Sequence, residues 1–220
     1  MTSRCEDHVL RTIATYDAIA PHYGLTATPA LRAWEESSMR LFAGDLPGRR
    51  VVVVGCGDGR DSRYLCSLGL DVLSFDLSDG MLAEARRLDP ESTYQKLDCR
   101  EITTLSERFD GAFASGCLYH LQRHEFRQLL ADVLMLLNPL GVLYLNLKIG
   151  RGEEFRDVPD ERYPGGDEAR RMLRGPRYYA YYQRSELTSY FIGYDVVRQR
   201  DVEHPQEVVE AWLRKPKGDG

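Results

Sequence analysis

The 220-residue chain has no apolar run approaching the roughly 18 residues of a membrane-crossing helix. Its first residues, MTSRCEDHVLRTIATYD, carry charges throughout and contain no apolar core of the signal-peptide kind. A cytoplasmic protein without membrane contact is therefore expected. Cysteine is sparse: Cys5, Cys56, Cys66, Cys99 and Cys117 are odd in number, and no C-x-x-C occurs. That argues against a disulfide framework or a zinc site and in favour of reduced thiols. An excess of basic charge is also missing. Lys plus Arg number 29 against 34 Asp plus Glu, so the net charge is −5 and nothing draws the chain toward phosphate backbones in general. Nucleic acid is thus disfavoured as a partner. Internal repeats, low-complexity tracts and linkers are absent. At 43% apolar and 29% charged residues, the composition is that of an ordinary globular chain. Its length suits one α/β domain over residues 1–220.

Periodicity places the elements. Val9, Ile13, Tyr16 and Ala20 share one helical face over 8–20. After a proline-containing break comes a second helix over 31–42, and these two make an N-terminal cap (1–45). Strands are expected at 51–55, 70–76, 92–97, 109–115 and 141–148, alternating with helices at 60–68, 79–88 and 123–137; this is a core spanning 46–149. Alternation of this kind dictates an α/β, Rossmann-like, doubly wound sheet with helices on both faces. Residues 150–177, rich in Gly, Pro, Arg and Asp, read as a long substrate-side loop with one short helix at 167–173. A helix at 185–192 and strands at 194–201 and 206–213 follow. The last two strands pair antiparallel, giving seven strands, mostly parallel.

The sharpest local signal is Gly55-Cys56-Gly57-Asp58-Gly59 between the first strand and its helix. Glycines there permit a tight turn and close approach of a ligand, and the helix N-terminus offers free N–H groups. Asp76 lies 21 residues past Gly55, at the end of the next strand, where an acid accepts bonds from ribose hydroxyls. The turn alone fits NAD, a flavin, S-adenosylmethionine or a merely structural bend.

Several segments narrow this. YDAIAPHY (16–23), VVVVGCGDGRDS, FDLSDGMLAEAR, KLDCREI, FDGAFASGCLYHL and LNPLGVLYLNLKIGRGEE together resemble the motifs of class I S-adenosylmethionine-dependent methyltransferases of the small-molecule, single-domain type. The resemblance covers roughly residues 14–200 and implies S-adenosylmethionine as cofactor, S-adenosylhomocysteine as product and a small-molecule methyl acceptor. Residue by residue it implies Asp76 at the ribose and Asp98 at the adenine amino group. Leu77, Met81, Cys99, Arg100 and Ser115 line the cofactor, Gly55, Gly57, Asp58 and Gly59 cradle it, and Tyr16 and Tyr23 cap it. One departure stands out: the acid often found two positions before the first glycine is Val53 here. Asp61 or Asp58 is the candidate to hold the cofactor's amino group, and helix-dipole complementarity is the alternative role for Asp61.

Methyl transfer from a sulfonium is an in-line displacement with a neutral leaving group. It needs alignment and exclusion of water and, for some acceptors, a base, but no metal. His120, following the fourth strand, is the candidate base, or else a group bordering the cofactor. Beside it, Tyr119 is the candidate to orient substrate. Glu153, in the run Lys148-x-Gly150-x-Gly152-Glu153, is a candidate cation or proton acceptor, and Lys148 shapes the loop or holds an anion. Arg170, Arg171, Arg174, Arg177 and Arg184 interleave with Tyr178, Tyr179, Tyr181 and Tyr182, which suits a substrate wall, a half-buried segment or, less well, an RNA surface. Transfer to O or N of a small molecule is the leading expectation. The alternatives are a regulatory module that binds the cofactor without catalysis, and an RNA or protein methyltransferase. The protein is expected to be a monomer or homodimer.

Overall fold

The computed structural model describes residues 6–159, 166–204 and 206–218. Nine strands and seven α-helices are described. β1 (Arg50–Val54) is the hub. Val51 and Val53 point into a core with Met39, Phe42 and Trp212, while Val52 and Val54 point into another with Phe126, Leu129 and Leu130. Both faces are therefore covered, which is why this strand is a run of valines rather than an alternation.

β1 pairs in parallel with β2 (Asp71–Asp76) on one side and β4 (Phe109–Ala114) on the other. β3 (Tyr94–Lys96), β5 (Leu137–Lys148), β8 (Asp195–His204) and β9 (Gln206–Arg214) complete a seven-stranded sheet in the order β3-β2-β1-β4-β5-β9-β8. Only β9 runs against its neighbours β5 and β8, so the sheet is mostly parallel, as expected. The chain departs from β1 in opposite directions across the sheet, and ligands bind at such a switch point, outside the carboxyl ends of the strands.

Helices α3 (Arg60–Ser67), α4 (Asp79–Leu88) and α5 (Arg123–Leu136) connect the strands. α5 begins with a capping box between Gln122 and Glu125 and buries Phe126, Leu129, Leu130 and Val133. The N-terminal segment forms α1 (Glu6–Ile19), a 3₁₀ turn through Pro21 (Ala20–Thr26) and α2 (Pro29–Asp45), whose N-cap Thr28 accepts from the Leu31 N–H at 3.3 Å.

The segment 150–177 departs from expectation. It is not a long loop: β6 (Glu153–Val158) and β7 (Gly175–Ala180) pair antiparallel in a ribbon apart from the main sheet, with α6 (Gly166–Met172) between them. β7 is nearly all buried because α1 packs across it. Thr12 Oγ1 accepts from the Tyr178 N–H at 3.0 Å, and Thr15 Oγ1 donates to the Pro176 carbonyl at 2.7 Å. The expected helix at 185–192 is a 3₁₀ turn (Arg184–Glu186) followed by one α turn, α7 (Leu187–Tyr190). No helix among the described residues is long and apolar enough to cross a membrane.

Candidate active site

The glycine turn supports the site. Gly55, Gly57 and Gly59 all have positive φ, at 65°, 54° and 75°. A β-carbon at Gly55 would stand 2.6 Å from Cys117 Cβ, and one at Gly59 would stand 2.5 Å from Tyr94 Oη. At Gly57 the nearest atom would be Tyr23 Cε1 at 3.7 Å. Two of these glycines serve packing; Gly57 keeps open the space above the turn.

Asp76 closes β2 onto this turn. Its Oδ2 accepts from the Gly57 N–H at 2.8 Å and its Oδ1 from the Ser78 N–H at 2.9 Å. Burial raises its carboxyl above the usual range, against the pull of those backbone donors.

Two cavities meet over the turn and share Tyr23, Gly55, Gly57, Ser115 and Gly116. The first has about 820 Å³ of empty space, open solvent at its mouth included. Asp76, Leu77, Met81, Asp98, Cys99, Arg100 and His120 line it from the sheet side. Val9, Thr12, Ile13 and Tyr16 of α1 line it from above, so the apolar face of α1 roofs a cavity. Asp98 caps the following 3₁₀ turn and holds Arg100, whose guanidinium also reaches Glu125 at 2.9 Å. Burial pushes the Cys99 thiol up to about 12, so it is a neutral wall group.

At the inner end, His120 is engaged at both ring nitrogens. Nδ1 lies 2.6 Å from the Tyr178 carbonyl and Nε2 lies 2.8 Å from Tyr16 Oη. A carbonyl only accepts, so Nδ1 carries the proton and Nε2 accepts from the Tyr16 hydroxyl. The rings of Tyr16, Tyr119 and Tyr179 pack around the imidazole with centroids 4.8–5.5 Å away. Removal from water pulls its pKa down to about 3. Burial likewise keeps Tyr16 and Tyr23 protonated.

The second cavity is lined by Asp58, Arg60 and Asp61 beside the turn, by Leu31, Trp34 and Glu35 of α2, by Tyr119 in the turn after β4, and by Asn146 and Lys148 of β5. Lys148 Nζ lies 5.0 Å from the ring centroids of both Tyr119 and Tyr179. Asn146 donates to Ser115 Oγ at 3.2 Å and accepts from the Gly116 N–H at 2.9 Å, which anchors the shared waist.

Of the residues expected at catalysis or at the cofactor, two line neither cavity: Gly59, which packs on Tyr94, and Glu153. Glu153 is exposed at the start of β6, where it accepts from the Arg123 N–H at 2.9 Å and so caps α5. This is a correction to its expected place at the substrate. Sequence reading missed Glu35, Trp34 and Asn146. Glu35 left a trace: it falls on the helical face of Leu31, Ser38, Met39 and Phe42, an acid within a stripe that faces inward.

With fold and site in hand, comparison places the chain. Residues 51–141 match the family described as a methyltransferase domain. The chain is thus similar, from β1 into β5, to a methyltransferase domain. Among individual proteins, it is 30% identical over 134 residues to a demethylmenaquinone methyltransferase of Renibacterium salmoninarum, covering 59% of this chain and 55% of that one. It is 32% identical over 133 residues to a malonyl-[acyl-carrier protein] O-methyltransferase of Enterobacter lignolyticus, covering 59% and 50%. The matches thus span about half the length of these curated relatives. Among solved structures, DhpI in complex with SAH superposes with a TM-score of 0.71 at 22% identity, covering 96% of this chain and 98% of that one. The glycopeptide N-methyltransferase MtfA complexed with (S)-adenosyl-L-methionine gives 0.63 at 20%, covering 82% and 87%.

Proposed function

We propose that the protein transfers the methyl group of S-adenosylmethionine to an oxygen or nitrogen of a small molecule. The observation that carries this reading is the pair of cavities joined at one waist over the glycine turn, the arrangement a two-substrate displacement needs. S-adenosylmethionine, when bound, supplies a methyl group on a positively charged sulfur. Asp76 takes the ribose hydroxyls, and Asp98 takes the adenine amino group among Leu77, Met81, Cys99 and Arg100. Asp58 and Asp61 hold the amino group of the tail in place of the missing acid at 53. Tyr16 and Tyr23 cover the cofactor and exclude water, and Ser115 borders the waist. Tyr119 faces the acceptor.

In this reading His120 is a positioning residue rather than a free base. Its neutral Nδ1–H tautomer, fixed by the Tyr178 carbonyl, turns Nε2 toward Tyr16 and orients that hydroxyl over the cavity. Calorimetry with S-adenosylhomocysteine tests the proposal. Wild-type protein is expected to bind it in the micromolar range, about −8 kcal/mol. Asp76→Ala removes both the ribose acceptor and the tie to Gly57, and is expected to weaken binding at least about a hundredfold. Absence of binding by the wild type refutes the proposal.

A further inference from the structure

Building on the methyltransferase reading, we infer that the methyl acceptor carries an oxyanion, a carboxylate or a phosphate, received by Lys148 and the Tyr119 hydroxyl on the wall of the second cavity. Lys148 closes β5 and Tyr119 stands in the turn after β4, and both line that cavity. Lys148 Nζ lies over two rings at once, 5.0 Å from the centroids of Tyr119 and Tyr179, which stack 5.6 Å apart. The two ring faces fix where the ammonium stands. Beside it the half-buried Tyr119 hydroxyl makes no hydrogen bond among the described residues, and burial keeps it protonated. A point charge and a neutral donor entering one cavity together have the chemistry of an oxyanion site.

The charges around the site point the same way. Arg177 of β7 is a buried cation, 9% exposed, and no carboxylate stands within ion-pair distance of it among the described residues. Its Nη2 donates to the Val158 and Leu173 carbonyls, and its guanidinium carbon lies 5.2 Å from the centre of the Tyr16 ring. An arginine is seldom buried this far without an acid. His120 lies within reach of both cations. Beyond burial, the charges that pull its pKa down are Arg177 and Lys148, and no carboxylate offsets them. The acids of the second cavity are committed on its other wall: Glu35 pairs with Arg60 and Arg32, Asp61 lies 4.0 Å from Arg60, and Asp58 accepts from the Arg60 N–H at 3.2 Å. The end of the cavity at Tyr119 is therefore positive.

Position assigns the anion to the acceptor rather than to the cofactor's own carboxylate. In the methyltransferase reading the cofactor tail lies along the glycine turn at the end of β1, where Arg60 opens α3. Lys148 leaves the sheet two strands away, since β4 stands between β1 and β5. An oxyanion held there leaves the waist free for the reacting atom.

The test uses the full chain saturated with S-adenosylhomocysteine, titrated calorimetrically at neutral pH with 3-phenylpropionate, 2-phenylethyl phosphate, 3-phenyl-1-propanol and 3-phenylpropylamine. At least one of the two anions is expected to bind at least about tenfold more tightly than the alcohol and the amine, the worth of one charged hydrogen bond. The tighter of the two names the group the acceptor carries. Lys148→Met keeps the packing over the rings and removes the charge. It is expected to abolish the preference while changing S-adenosylhomocysteine affinity less than about twofold, and Lys148→Arg to restore most of it. Tyr119→Phe is expected to weaken the anion more than the alcohol. Should Lys148→Met fail to fold, Lys148→Gln serves in its place. Equal binding of all four probes, binding of none, a preference for the amine or the alcohol, or a preference that survives loss of the lysine overturns the inference. So does a lysine variant that loses S-adenosylhomocysteine in proportion to the anion, since Lys148 would then serve the cofactor. Wild-type protein that fails to bind S-adenosylhomocysteine refutes the methyltransferase reading itself, before any probe is added.

Discussion

The imidazole of His120 makes stability depend on pH in a way that can be isolated. In the folded protein its pKa is pulled down to about 3, while in the unfolded chain it is the ordinary 6.5. Between those values the unfolded chain binds the extra proton, so the contribution to stability is complete above pH 6.5 and is lost as pH falls toward 3. The loss is about 1.4 kcal/mol by about pH 5.5 and about 2.7 kcal/mol by about pH 4.5. Glu35 works in the opposite direction. Its folded carboxyl, raised to about 7 from 4.5, binds a proton first and adds stability as pH falls through that window. The wild-type profile alone therefore mixes opposing slopes, those of Glu125, Asp61 and Asp76 included. His120→Asn separates them, because its amide nitrogen can still reach the Tyr178 carbonyl, it does not titrate, and Glu35 is untouched. Urea denaturation of both proteins at about pH 7.5, 5.5 and 4.5 is the assay. The gap between them, set at pH 7.5 by the lost Tyr16 bond, is expected to narrow by the amounts above on acidification. Parallel profiles would show that His120 titrates normally in the folded protein, and the argument for its fixed neutral tautomer would fail.

Two further outcomes follow from packing. Glu210 is fully buried and held by Arg200 at 2.5 Å, Ser38 at 2.5 Å and Tyr144 at 2.7 Å. Arg200→Met is expected to cost about 3–5 kcal/mol in chemical denaturation, and adding Glu210→Leu to recover most of it, because the cost lies in the stranded charge; a single variant as stable as wild type contradicts this. Gly59→Ala meets the Tyr94 hydroxyl at 2.5 Å and its ring edge at 2.9 Å, whereas Gly57→Ala meets only Tyr23 at 3.7 Å. The first is expected to lower the melting temperature strongly. The second is expected to cost only the left-handed strain of about 1–2 kcal/mol, yet to weaken S-adenosylhomocysteine binding more than its effect on stability explains. The reverse order in melting would refute this account of the turn.

Much of the fold was legible because it rests on local patterns. The valine run of β1, the stripe of α5 and the glycine turn each state their structure within a dozen residues. Asp76 stood out because it ends a strand beside the glycine turn and Asp98 because it follows one; both line the first cavity. The ribbon of β6 and β7 was not. Glu153-Glu154-Phe155-Arg156-Asp157-Val158 is mostly charged, and its partner lies beyond an intervening helix, so only tertiary pairing under α1 makes it a strand. Once paired, it carries Glu153 away from both cavities and onto the start of α5. Glu35 was hidden for a related reason: an acid on a helix reads as a solvated face until Arg60 and the glycine turn are folded against it.

The reversed strand β9 has a consequence for synthesis. It sits between β5 and β8, so the inner edge of β5 has no neighbour until residues 206–214 have left the ribosome. β5 is buried along most of its length, and until then its free edge and apolar faces stand open on the nascent chain. Completion of the sheet therefore waits on residues 206–214, and a chain broken off before them is expected to be a sticky polypeptide rather than a smaller stable sheet.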